Sequence, residues 1–305
     1  MRKAFSDALV RLARQDPNVL LLTGDHGYAL FDDFRKHCAG QYINAGIAEQ
    51  NMVGMAAGLA RTGFRPFVYG LSAFVPVRVL EQIKLDVAHD NLPVVFLGDG
   101  AGFVYSHLGT SHQSTEDIAC TRAIPQLAVL SPSDRYEMTA CMDLAYDMAG
   151  PVYMRMGKSD RGDVHSGPIA GLKAGQLLQV RVGRQDLPVL VATGSMVRTA
   201  LDIAEAHLDA SVWSVPSVKP LDEDTLCAIA RSGRGLVVLE EHSTAGGVGA
   251  AVAEVLSEKQ PSRILRVGVS DRFSAHCGTY DYLLHEHGLD ADAVKARIDA
   301  FVRTF

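Results

Sequence analysis

Short apolar runs alternate with amphipathic segments along the first half of the chain. The runs are rich in Val, Leu, Ile and aromatic residues, whereas the segments between them repeat apolar residues at three- and four-residue spacing. This alternation is typical of parallel β-strands connected by helices. Strands are expected at residues 19–23, 42–45, 66–69, 93–97, 127–130 and 151–156.

A second alternation follows and predicts a second sheet. The stretch 157–175 between the two alternations carries Gly, Ser and Lys without strong periodicity, which is typical of a linker. The sequence therefore predicts an α/β protein with two domains, each a largely parallel sheet flanked by helices. The expected division is residues 1–160, a linker at 161–180, and residues 181–305, with second-domain strands at 188–192, 211–214, 235–239 and 264–267.

One acidic residue, Glu49, is predicted at the start of a helix built from small residues. Residues 42–45 are expected to form a strand, Gly46 a turn, and residues 48–61 a helix with regular apolar spacing. A carboxylate in the first helical turn is favoured by the helix dipole by about 0.3–1 kcal/mol when exposed. Residues 54–60 lack bulk, which is costly for a helix unless another backbone packs closely against it. The pattern indicates a helix that presents one acid and that another backbone or helix approaches closely.

Functional side chains are expected beyond the carboxyl ends of the predicted strands, because open parallel sheets bind ligands there. The loops that follow residues 22, 45, 69 and 97 fulfil this expectation. They carry Asp25, Glu49, Phe74 and the segment 107–112, respectively.

Composition and charge argue against several classes of function. The 305-residue chain is 48% hydrophobic and 21% charged, as expected for a soluble globular protein with a large core. Its net charge of −6 argues against nucleic-acid binding. No apolar run approaches the length of a membrane span and the first residues lack a secretion signal, so a cytoplasmic location is expected. Five widely spaced cysteines fit reduced thiols rather than a zinc site.

Six segments resemble, in order, the motifs of one enzyme family. Residues 46–60 (GIAEQNMVGMAAGLA) resemble the pyrimidine-domain motif of thiamine-diphosphate enzymes of the transketolase and deoxyxylulose-phosphate synthase group. Residues 72–83 (SAFVPVRVLEQI) are similar to the segment that stacks an aromatic ring on the cofactor, and residues 108–119 (LGTSHQSTEDIA) to the substrate-histidine loop. The resemblance spans about nine tenths of the chain. Later landmarks match at 127–134, 219–222 and 239–249.

This resemblance implies a cofactor and a set of residues that contact it. In the family, the glutamate that matches Glu49 hydrogen-bonds a nitrogen of the aminopyrimidine ring of thiamine diphosphate and so assists removal of the thiazolium proton. Phe74 is expected to lie flat against that ring. By their matching positions, Asp25, Ile47 and Arg78 are also expected in the cofactor pocket.

The resemblance also implies residues that contact the substrate. His112 matches the family histidine that contacts an oxygen of the donor sugar and moves protons, which makes it the second predicted catalytic residue beside Glu49. His107 lies on the same loop and either binds polar substrate or is simply exposed. Lys158 lies near the position of a phosphate-binding cation. Arg155 either shares that role or pairs with an acid at the domain interface.

The diphosphate- and metal-binding half of the family's site is expected on another chain. The family binds Mg²⁺ through a Gly-Asp-Gly run that an Asn follows. Such a run surrounds Asp99, but no Asn occurs after residue 91, so Asp99 is expected to be a strand-end turn and no metal ligand is assigned to this chain. The resemblance implies the C-terminal subunit of a split enzyme, with an N-terminal partner subunit that carries the diphosphate domain, in an α2β2 heterotetramer. His285 and His287 are expected at a solvated surface.

The predicted activity is transfer of a two-carbon ketol unit from a ketose donor to an aldehyde acceptor, and two departures affect its substrate. Leu108 replaces the Asp that the family carries four residues before the loop histidine, and Lys158 stands where Arg commonly binds phosphate. An unphosphorylated, deoxy, amino or nucleotide-linked acceptor sugar is therefore one hypothesis. Two alternatives remain open: the β subunit of a 2-oxoacid dehydrogenase, which shares the fold and the glutamate, and a non-catalytic scaffold subunit.

Overall fold

The chain folds into two β-sheets flanked by helices. The computed structural model describes residues 1–27, 29–158 and 160–305. Each strand is short and rich in apolar residues, as the alternation in sequence predicts. In chain order the strands are β1 (Val19–Thr23), β2 (Tyr42–Asn44), β3 (Arg65–Leu71), β4 (Val95–Asp99), β5 (Ala128–Leu130), β6 (Val152–Met156), β7 (Leu178–Arg181), β8 (Val189–Ala192), β9 (Val212–Ser214), β10 (Ser217–Lys219), β11 (Leu236–Ser243) and β12 (Ile264–Val269).

Helices connect most successive strands, as parallel pairing requires. Several of them begin at a side-chain cap, for example Asp134, which accepts hydrogen bonds from the backbone N–H groups of Tyr136 and Glu137. The helices are α1 (Arg2–Gln15), α2 (Asp32–His37), α3 (Glu49–Arg61), α4 (Leu80–Gln82, continued by π-helical turns at Ile83–Ala88), α5 (Asp117–Arg122), α6 (Arg135–Asp147), α7 (Met196–Ile203, continued by π-helical turns at Ala204–Leu208), α8 (Glu223–Ser232), α9 (Val248–Lys259), α10 (Tyr280–Glu286) and α11 (Ala291–Val302).

Both sheets are parallel except at one edge. The larger sheet has the order β10-β5-β6-β4-β3-β1-β2, and only β10 runs antiparallel to its neighbour. The smaller sheet has the order β12-β11-β8-β9-β7, with β7 antiparallel to β9. The predicted α/β class with two largely parallel sheets is therefore confirmed.

Sequence reasoning misses the two antiparallel edge strands. β7 and β10 are only four and three residues long, so neither gives a clear hydrophobic pattern. β10 also leaves the sequence of the second sheet and pairs with β5 of the first, Ser217 lying opposite Leu130. Long-range pairing, rather than local sequence, creates these strands.

The two sheets share one continuous apolar cluster. It contains Val68 and Phe96 from the first sheet together with Val191 and Val238 from the second. Each sheet also has a separate apolar cluster on its outer face. Since burial of apolar surface is the main stabilising contribution to folding, the shared cluster stabilises the packing of the two sheets' domains against each other.

One surface prediction is wrong. His285 is exposed, with 82% of its side chain accessible, but His287 is 8% exposed because its ring stacks on Phe103 with centroids 4.7 Å apart. Phe103 comes from the first sheet's loops, so local sequence around His287 carried no sign of this contact. Of the helices in the described residues, none is long and apolar enough to cross a bilayer. Cys277 is exposed and Cys38 is buried, and both are free thiols.

Candidate active site

The carboxyl ends of four neighbouring strands form the edge at which the predicted cofactor residues lie. β1, β2, β3 and β4 are adjacent and run in the same direction. The loops and helix starts that follow them carry His26, Glu49, Phe74 and His112, in that order. Parallel pairing thus gathers residues that are far apart in sequence.

Glu49 is the first residue of α3 and is 6% exposed. The turn before it contains Gly46, whose φ of +72° is rarely adopted by a residue with a side chain. Asn44 stabilises this turn, because its Oδ1 accepts a 2.9 Å hydrogen bond from the Gly46 N–H. Buried apolar residues of α3 anchor the helix and thereby fix the position of the carboxylate at the sheet edge. These residues are Met52, Val53, Ala56, Ala57 and Ala60.

Arg78 connects Glu49 to Phe74. Its Nη1 donates a 3.1 Å hydrogen bond to Glu49 Oε2, and its guanidinium carbon lies 4.1 Å from the centroid of the Phe74 ring. Since the Arg78 side chain is 47% exposed, the ion pair is expected to contribute no more than about 1 kcal/mol to folding. The main effect of Arg78 is therefore to orient the carboxylate and the ring.

The Phe74 ring also contacts His112. The two rings meet edge to face, with centroids 5.3 Å apart and an interplanar angle of 66°. Ser111 Oγ lies 2.9 Å from His112 Nδ1. Glu49, Arg78, Phe74 and His112 thus form an unbroken series of contacts, which we call the Glu49–His112 cluster.

Three other predicted residues lie around this cluster and face solvent. Asp25 is exposed in the loop after β1, and His107 is exposed in the 3₁₀ turn Ser106–Leu108. Ile47 is 80% exposed immediately before α3. Their predicted roles depend on a molecule or chain that covers this edge.

Lys158 lies against the second domain. Its Nζ is 3.1 Å from Asp160 Oδ2 and 5.4 Å from the centroid of the Tyr280 ring. The Lys158 side chain is 28% exposed, so its charge remains accessible to an anion. The C-terminal domain therefore holds one of the predicted substrate residues.

Arg155 does not face the edge, so its predicted substrate contact is wrong. It is 1% exposed and its Nε donates a 2.8 Å hydrogen bond to Asp117 Oδ2. Its Nη2 donates to the backbone carbonyl of Glu241 at 2.7 Å. Although burial opposes the charge, attraction to Asp117 keeps the pKa of Arg155 above its usual value. Of the two roles left open by the sequence, the interface ion pair is the one that the geometry shows.

His26 is a site residue that sequence reasoning misses. Its ring lies 5.7 Å from that of Tyr69, and its buried Nε2 has no hydrogen-bond partner among the residues that the structure describes. Burial lowers the pKa of His26, while the charges of Glu49, Asp99 and Asp25 act in the opposite direction. Burial thus favours the neutral form of the imidazole. The sequence signal that could have identified His26 was its position directly after β1, at the edge where functional side chains are expected.

The Gly-Asp-Gly run around Asp99 has a packing role. Asp99 ends β4 and is 2% exposed, and its Oδ2 accepts hydrogen bonds from Tyr69 Oη at 2.7 Å and Tyr105 Oη at 2.9 Å. Arg2 forms an ion pair with the same oxygen. Any side chain at Gly100 would overlap the ring of Tyr105, and Gly100 has φ +78°. The predicted strand-end position of Asp99 is confirmed.

Glu241 joins the second domain to the loop between β4 and α5. Its Oε1 accepts a 2.6 Å hydrogen bond from the Phe103 N–H, and its Oε2 accepts one of 2.5 Å from Tyr280 Oη. Gly102 has φ +69°, and a side chain there would overlap the carboxyl group of Glu241. Glu241 thus positions, from across the domain interface, the loop that carries His112.

The two residues that flank Glu241 also form structural hydrogen bonds. Glu240 caps the start of α9, and His242 forms a second contact across the domain interface. Glu240 accepts hydrogen bonds from the N–H groups of Val248 at 2.7 Å and Gly249 at 2.9 Å. Burial nevertheless raises the pKa of Glu240 to about 7. His242 is fully buried and its Nε2 accepts a 3.3 Å hydrogen bond from the N–H of Ala119. The family landmark at 239–249 is therefore structural.

Two known domain families together match most of the sequence. Residues 1–162 match the family described as "Transketolase, pyrimidine binding domain", and residues 178–294 match "Transketolase, C-terminal domain". The chain belongs to the transketolase family. The resemblance inferred from the motifs is thereby confirmed, and enzymes of this family depend on thiamine diphosphate.

Several relatives of this transketolase-family chain have nearly the same length. One of the subunits of the apulose-4-phosphate transketolase of Phocaeicola vulgatus is 33% identical over 306 residues, covering 99% of this chain and 97% of that protein. A putative transketolase C-terminal section from Methanocaldococcus jannaschii is 35% identical over 304 residues, covering 98% and 95%. The chain spans about half of a longer relative, the 1-deoxy-D-xylulose-5-phosphate synthase of Mannheimia succiniciproducens, with 36% identity and 48% of that protein covered.

Solved structures agree with the transketolase fold. A structure described as a split-gene transketolase, inactive β4 tetramer, superposes with a TM-score of 0.90 at 35% identity, covering 99% of this chain and 98% of that chain. A transketolase from Pichia stipitis shares the fold with a TM-score of 0.82 at 20% identity, covering 99% of this chain and 46% of that one.

Proposed function

We propose that this chain is the C-terminal subunit of a split, thiamine-diphosphate-dependent transketolase. With an N-terminal subunit it transfers a two-carbon ketol unit from a ketose donor to an aldehyde acceptor. The observation that carries the proposal is the buried carboxylate of Glu49 at the start of α3, connected through Arg78 and Phe74 to His112. Two relatives that cover nearly the whole chain are named as a transketolase subunit and a transketolase section, which supports the split architecture.

The chemistry of the Glu49–His112 cluster fits the pyrimidine half of the cofactor. Glu49 offers a nearly dry carboxylate to a ring nitrogen, and a charge-assisted hydrogen bond in such a place is strong and directional. Phe74 offers an aromatic face. When bound, thiamine diphosphate supplies the carbon that takes up the two-carbon unit. We assign Mg²⁺ to the partner subunit, because the Gly-Asp-Gly run around Asp99 is not followed by the Asn that the family uses to bind the metal.

The other residues of the site orient substrate and move protons. His112 exchanges a proton with a substrate oxygen through its imidazole, which contacts the edge of Phe74. Lys158 attracts an anionic group of the substrate, and Tyr280 and Asp160 hold its ammonium in place. Asp25, Ile47 and His107 line the rim. Their exposure supports a contact with cofactor, substrate or the second subunit.

A partner subunit covers the exposed side of α3. Gly54 lies on the solvent side of this helix, and a Cβ built at Gly54 or Gly58 would meet nothing within 4 Å, so a second backbone has room to approach. The relative described as a β4 tetramer is also described as inactive, which supports a requirement for a second kind of subunit. We propose an α2β2 heterotetramer. Pairing of pyrimidine domains would place two sites in each assembly.

The proposed domain division is residues 1–160 and 181–305, with a linker at 161–180. It is supported by the family matches at 1–162 and 178–294 and by the separate sheets. Strand β10 connects the two halves. Its residues lie in the second half of the sequence, but it pairs with β5 of the first sheet.

Two residues bear on the choice of substrate. Leu108 is 56% exposed near the loop histidine and offers no hydrogen bond to a sugar hydroxyl. Lys158 binds an anion as a point charge, without the two-pronged geometry of Arg. We therefore propose an acceptor that is unphosphorylated, deoxy, amino or nucleotide-linked. Comparing kcat/KM on such aldehydes with that on aldose phosphates tests this choice.

The experiment that tests the function is a calorimetric titration of thiamine diphosphate and Mg²⁺. The chain is titrated alone and then mixed with the product of a neighbouring gene that encodes a diphosphate domain. Binding only in the mixture, followed by ketol transfer, is the expected result. Tight binding to the lone chain would contradict the split site. Release of CO₂ from a 2-oxoacid in place of ketol transfer would favour the dehydrogenase alternative.

A further inference from the structure

Two serine hydroxyls connect the loop that carries Phe74 to the loop that carries His112. Ser72 follows β3 directly and Ser114 precedes α5, and both side chains are fully buried. Ser72 Oγ donates a 2.8 Å hydrogen bond to Ser114 Oγ across 42 residues of sequence. Each serine is two residues away from one of the two rings, so this bond joins the loops close to the point where the rings meet.

A tyrosine from a third strand holds this pair of hydroxyls. Tyr153 lies on β6 and is fully buried, and its Oη is 3.1 Å from Ser72 Oγ. The same Oη donates a 2.7 Å hydrogen bond to Asp117 Oδ2. Burial and the nearby charge of Asp117 raise the pKa of Tyr153, so the hydroxyl keeps the proton that it donates. A Cβ at Gly98, on the neighbouring strand β4, would lie only 2.5 Å from this Oη, so the glycine leaves the space that the tyrosine occupies.

Backbone hydrogen bonds tie each loop to the end of β4 but do not join one loop to the other. The Ser72 N–H donates to the carbonyl of Asp99 at 2.7 Å, and Ser114 exchanges backbone hydrogen bonds of 2.7 and 3.0 Å with Gly102. Within the described residues, no backbone hydrogen bond runs directly between segments 72–76 and 108–114. The bond between the two serine side chains is therefore the direct polar contact that sets how far apart these loops lie.

The proposed reaction needs the two loops in a fixed arrangement. The proposed function places Phe74 against the aminopyrimidine ring and has His112 exchange a proton with a substrate oxygen, which requires hydrogen-bond reach. A displacement of about 1 Å can lower a rate about a hundredfold. We propose that Ser72 and Ser114 are positioning residues, whose mutual hydrogen bond sets the contact between the two rings. Tyr153 holds this bond in place. The inference rests on the proposed function.

Replacing both serines with alanine separates positioning from stability. Ser72→Ala or Ser114→Ala alone leaves one buried hydroxyl without its partner and should destabilise the chain, whereas the double variant removes both groups and should recover much of that loss. All three variants lack the bond. In the complex with the partner subunit, kcat for ketol transfer should therefore be about tenfold below the wild-type value in each, including the double variant. The dissociation constant of thiamine diphosphate should change little, because Phe74 keeps its own backbone bond to Leu71.

The NMR signal of the His112 ring reports the contact without requiring activity. Since the rings of Phe74 and His112 meet at 5.3 Å, the ring current of the phenylalanine shifts the histidine ring protons. In the full chain with ¹³C-labelled histidine, His112→Gln assigns this signal, and Phe74→Leu gives its position without the aromatic neighbour. The signal in all three serine variants should move toward the position that it has in Phe74→Leu.

Ser217→Ala is the matched control. Ser217 is also fully buried, on β10 at the edge of the larger sheet, where its Oγ accepts a 2.9 Å hydrogen bond from the Gly175 N–H and donates one of 2.8 Å to the Pro220 carbonyl. The variant should lower stability but leave the His112 signal and kcat unchanged. Since a purely structural role predicts that activity recovers with stability, a wild-type kcat and a wild-type His112 signal in the double serine variant would overturn the proposal.

The two readouts keep this inference distinct from the proposed function. If the wild-type complex shows no ketol transfer, the proposed function fails, and the NMR comparison still decides whether the serine bond sets the contact between the rings. If the double variant does not fold, the His112 signal in Ser114→Ala, compared with that in Ser217→Ala, decides the outcome. An unmoved signal in Ser114→Ala would then contradict the positioning role.

Discussion

The guanidinium of Arg78 donates a 3.1 Å hydrogen bond to Glu49 Oε2 across 29 residues of sequence. The same group lies over the Phe74 ring, so one side chain contacts two of the residues that the family resemblance assigns to the cofactor pocket. Because Arg78 is half exposed and Glu49 is buried, the arginine is the group that can move when a ligand enters.

Replacing Arg78 with Met tests this arrangement. The variant keeps an apolar stem over Phe74 but loses the bond to Glu49, so the carboxylate and ring are less well oriented. We expect thiamine diphosphate to bind the reconstituted complex about tenfold more weakly, as measured by calorimetry. Arg14→Met, on the exposed side of α1, is the matched control. An unchanged dissociation constant in the Arg78 variant would contradict the orienting role.

Glu49→Gln tests whether the chain is a catalyst or a scaffold. The change removes the charge with little change in shape, so assembly with the partner should persist. Ketol transfer should fall about a hundredfold or more, because the proton transfer that the carboxylate assists is lost. Steady-state kinetics and analytical ultracentrifugation measure the two properties. Glu81→Gln, an exposed position on α4, serves as control. Full activity of Glu49→Gln would support the scaffold alternative.

Breaking the buried ion pair between Arg155 and Asp117 is expected to destabilise the fold strongly. Both groups are buried, so Arg155→Met leaves an uncompensated carboxylate and should lower the free energy of unfolding by about 3–5 kcal/mol. Adding Asp117→Asn to this variant should restore part of the loss. Urea unfolding measures both. Arg184→Met breaks an exposed ion pair with Asp186 and should have little effect. Equal losses at the two sites would disprove the interface role.

Glu240 predicts a pH dependence of stability. Its pKa is about 7 in the folded chain and near 4.5 when unfolded, so the folded state binds the proton more tightly. The resulting stabilisation is complete below pH 4.5 and is lost as the pH rises through 7. Relative to Glu240→Gln, the wild-type free energy of unfolding should therefore decline by about 3 kcal/mol across this range.

Denaturant unfolding of both proteins at several pH values measures this difference. The comparison with the Gln variant cancels other groups that titrate in the same range. Glu258→Gln, at an exposed position of α9, the helix whose first N–H groups bind Glu240, should give a difference that does not change with pH. A flat difference for Glu240→Gln would show that water reaches the carboxylate.

Through the contact of Tyr280 with Lys158, the C-terminal domain is expected to contribute to substrate affinity. Its ring lies 5.4 Å from Lys158 Nζ, and such a cation–π contact contributes about 0.5–1 kcal/mol. Tyr280→Leu should therefore raise KM for an anionic substrate about two- to fivefold, while kcat changes little. Tyr280→Phe retains the ring but not the bond to Glu241 and should affect KM less. If both variants raise KM equally, the effect comes from the loop that Glu241 holds, and the contact with Lys158 is unimportant.

The sequence by itself determined the α/β class and the place of Glu49. Both depend on local spacing: apolar runs separated by helical repeats predict parallel strands, and a Gly turn before a helix places the acid at its first position. The edge on which Phe74 and His112 lie followed from the same rule, since each comes shortly after a predicted strand. These features need no knowledge of distant contacts.

Only the tertiary structure decided which distant residues meet. Arg155 pairs with Asp117 instead of facing substrate, and His287 is buried because Phe103 from the other domain covers it. Strand β10 joins the first sheet although its sequence belongs to the second half of the chain. Each outcome depends on an interaction across many tens of residues, which local periodicity does not encode because side-chain spacing reports only which face of its own element a residue occupies.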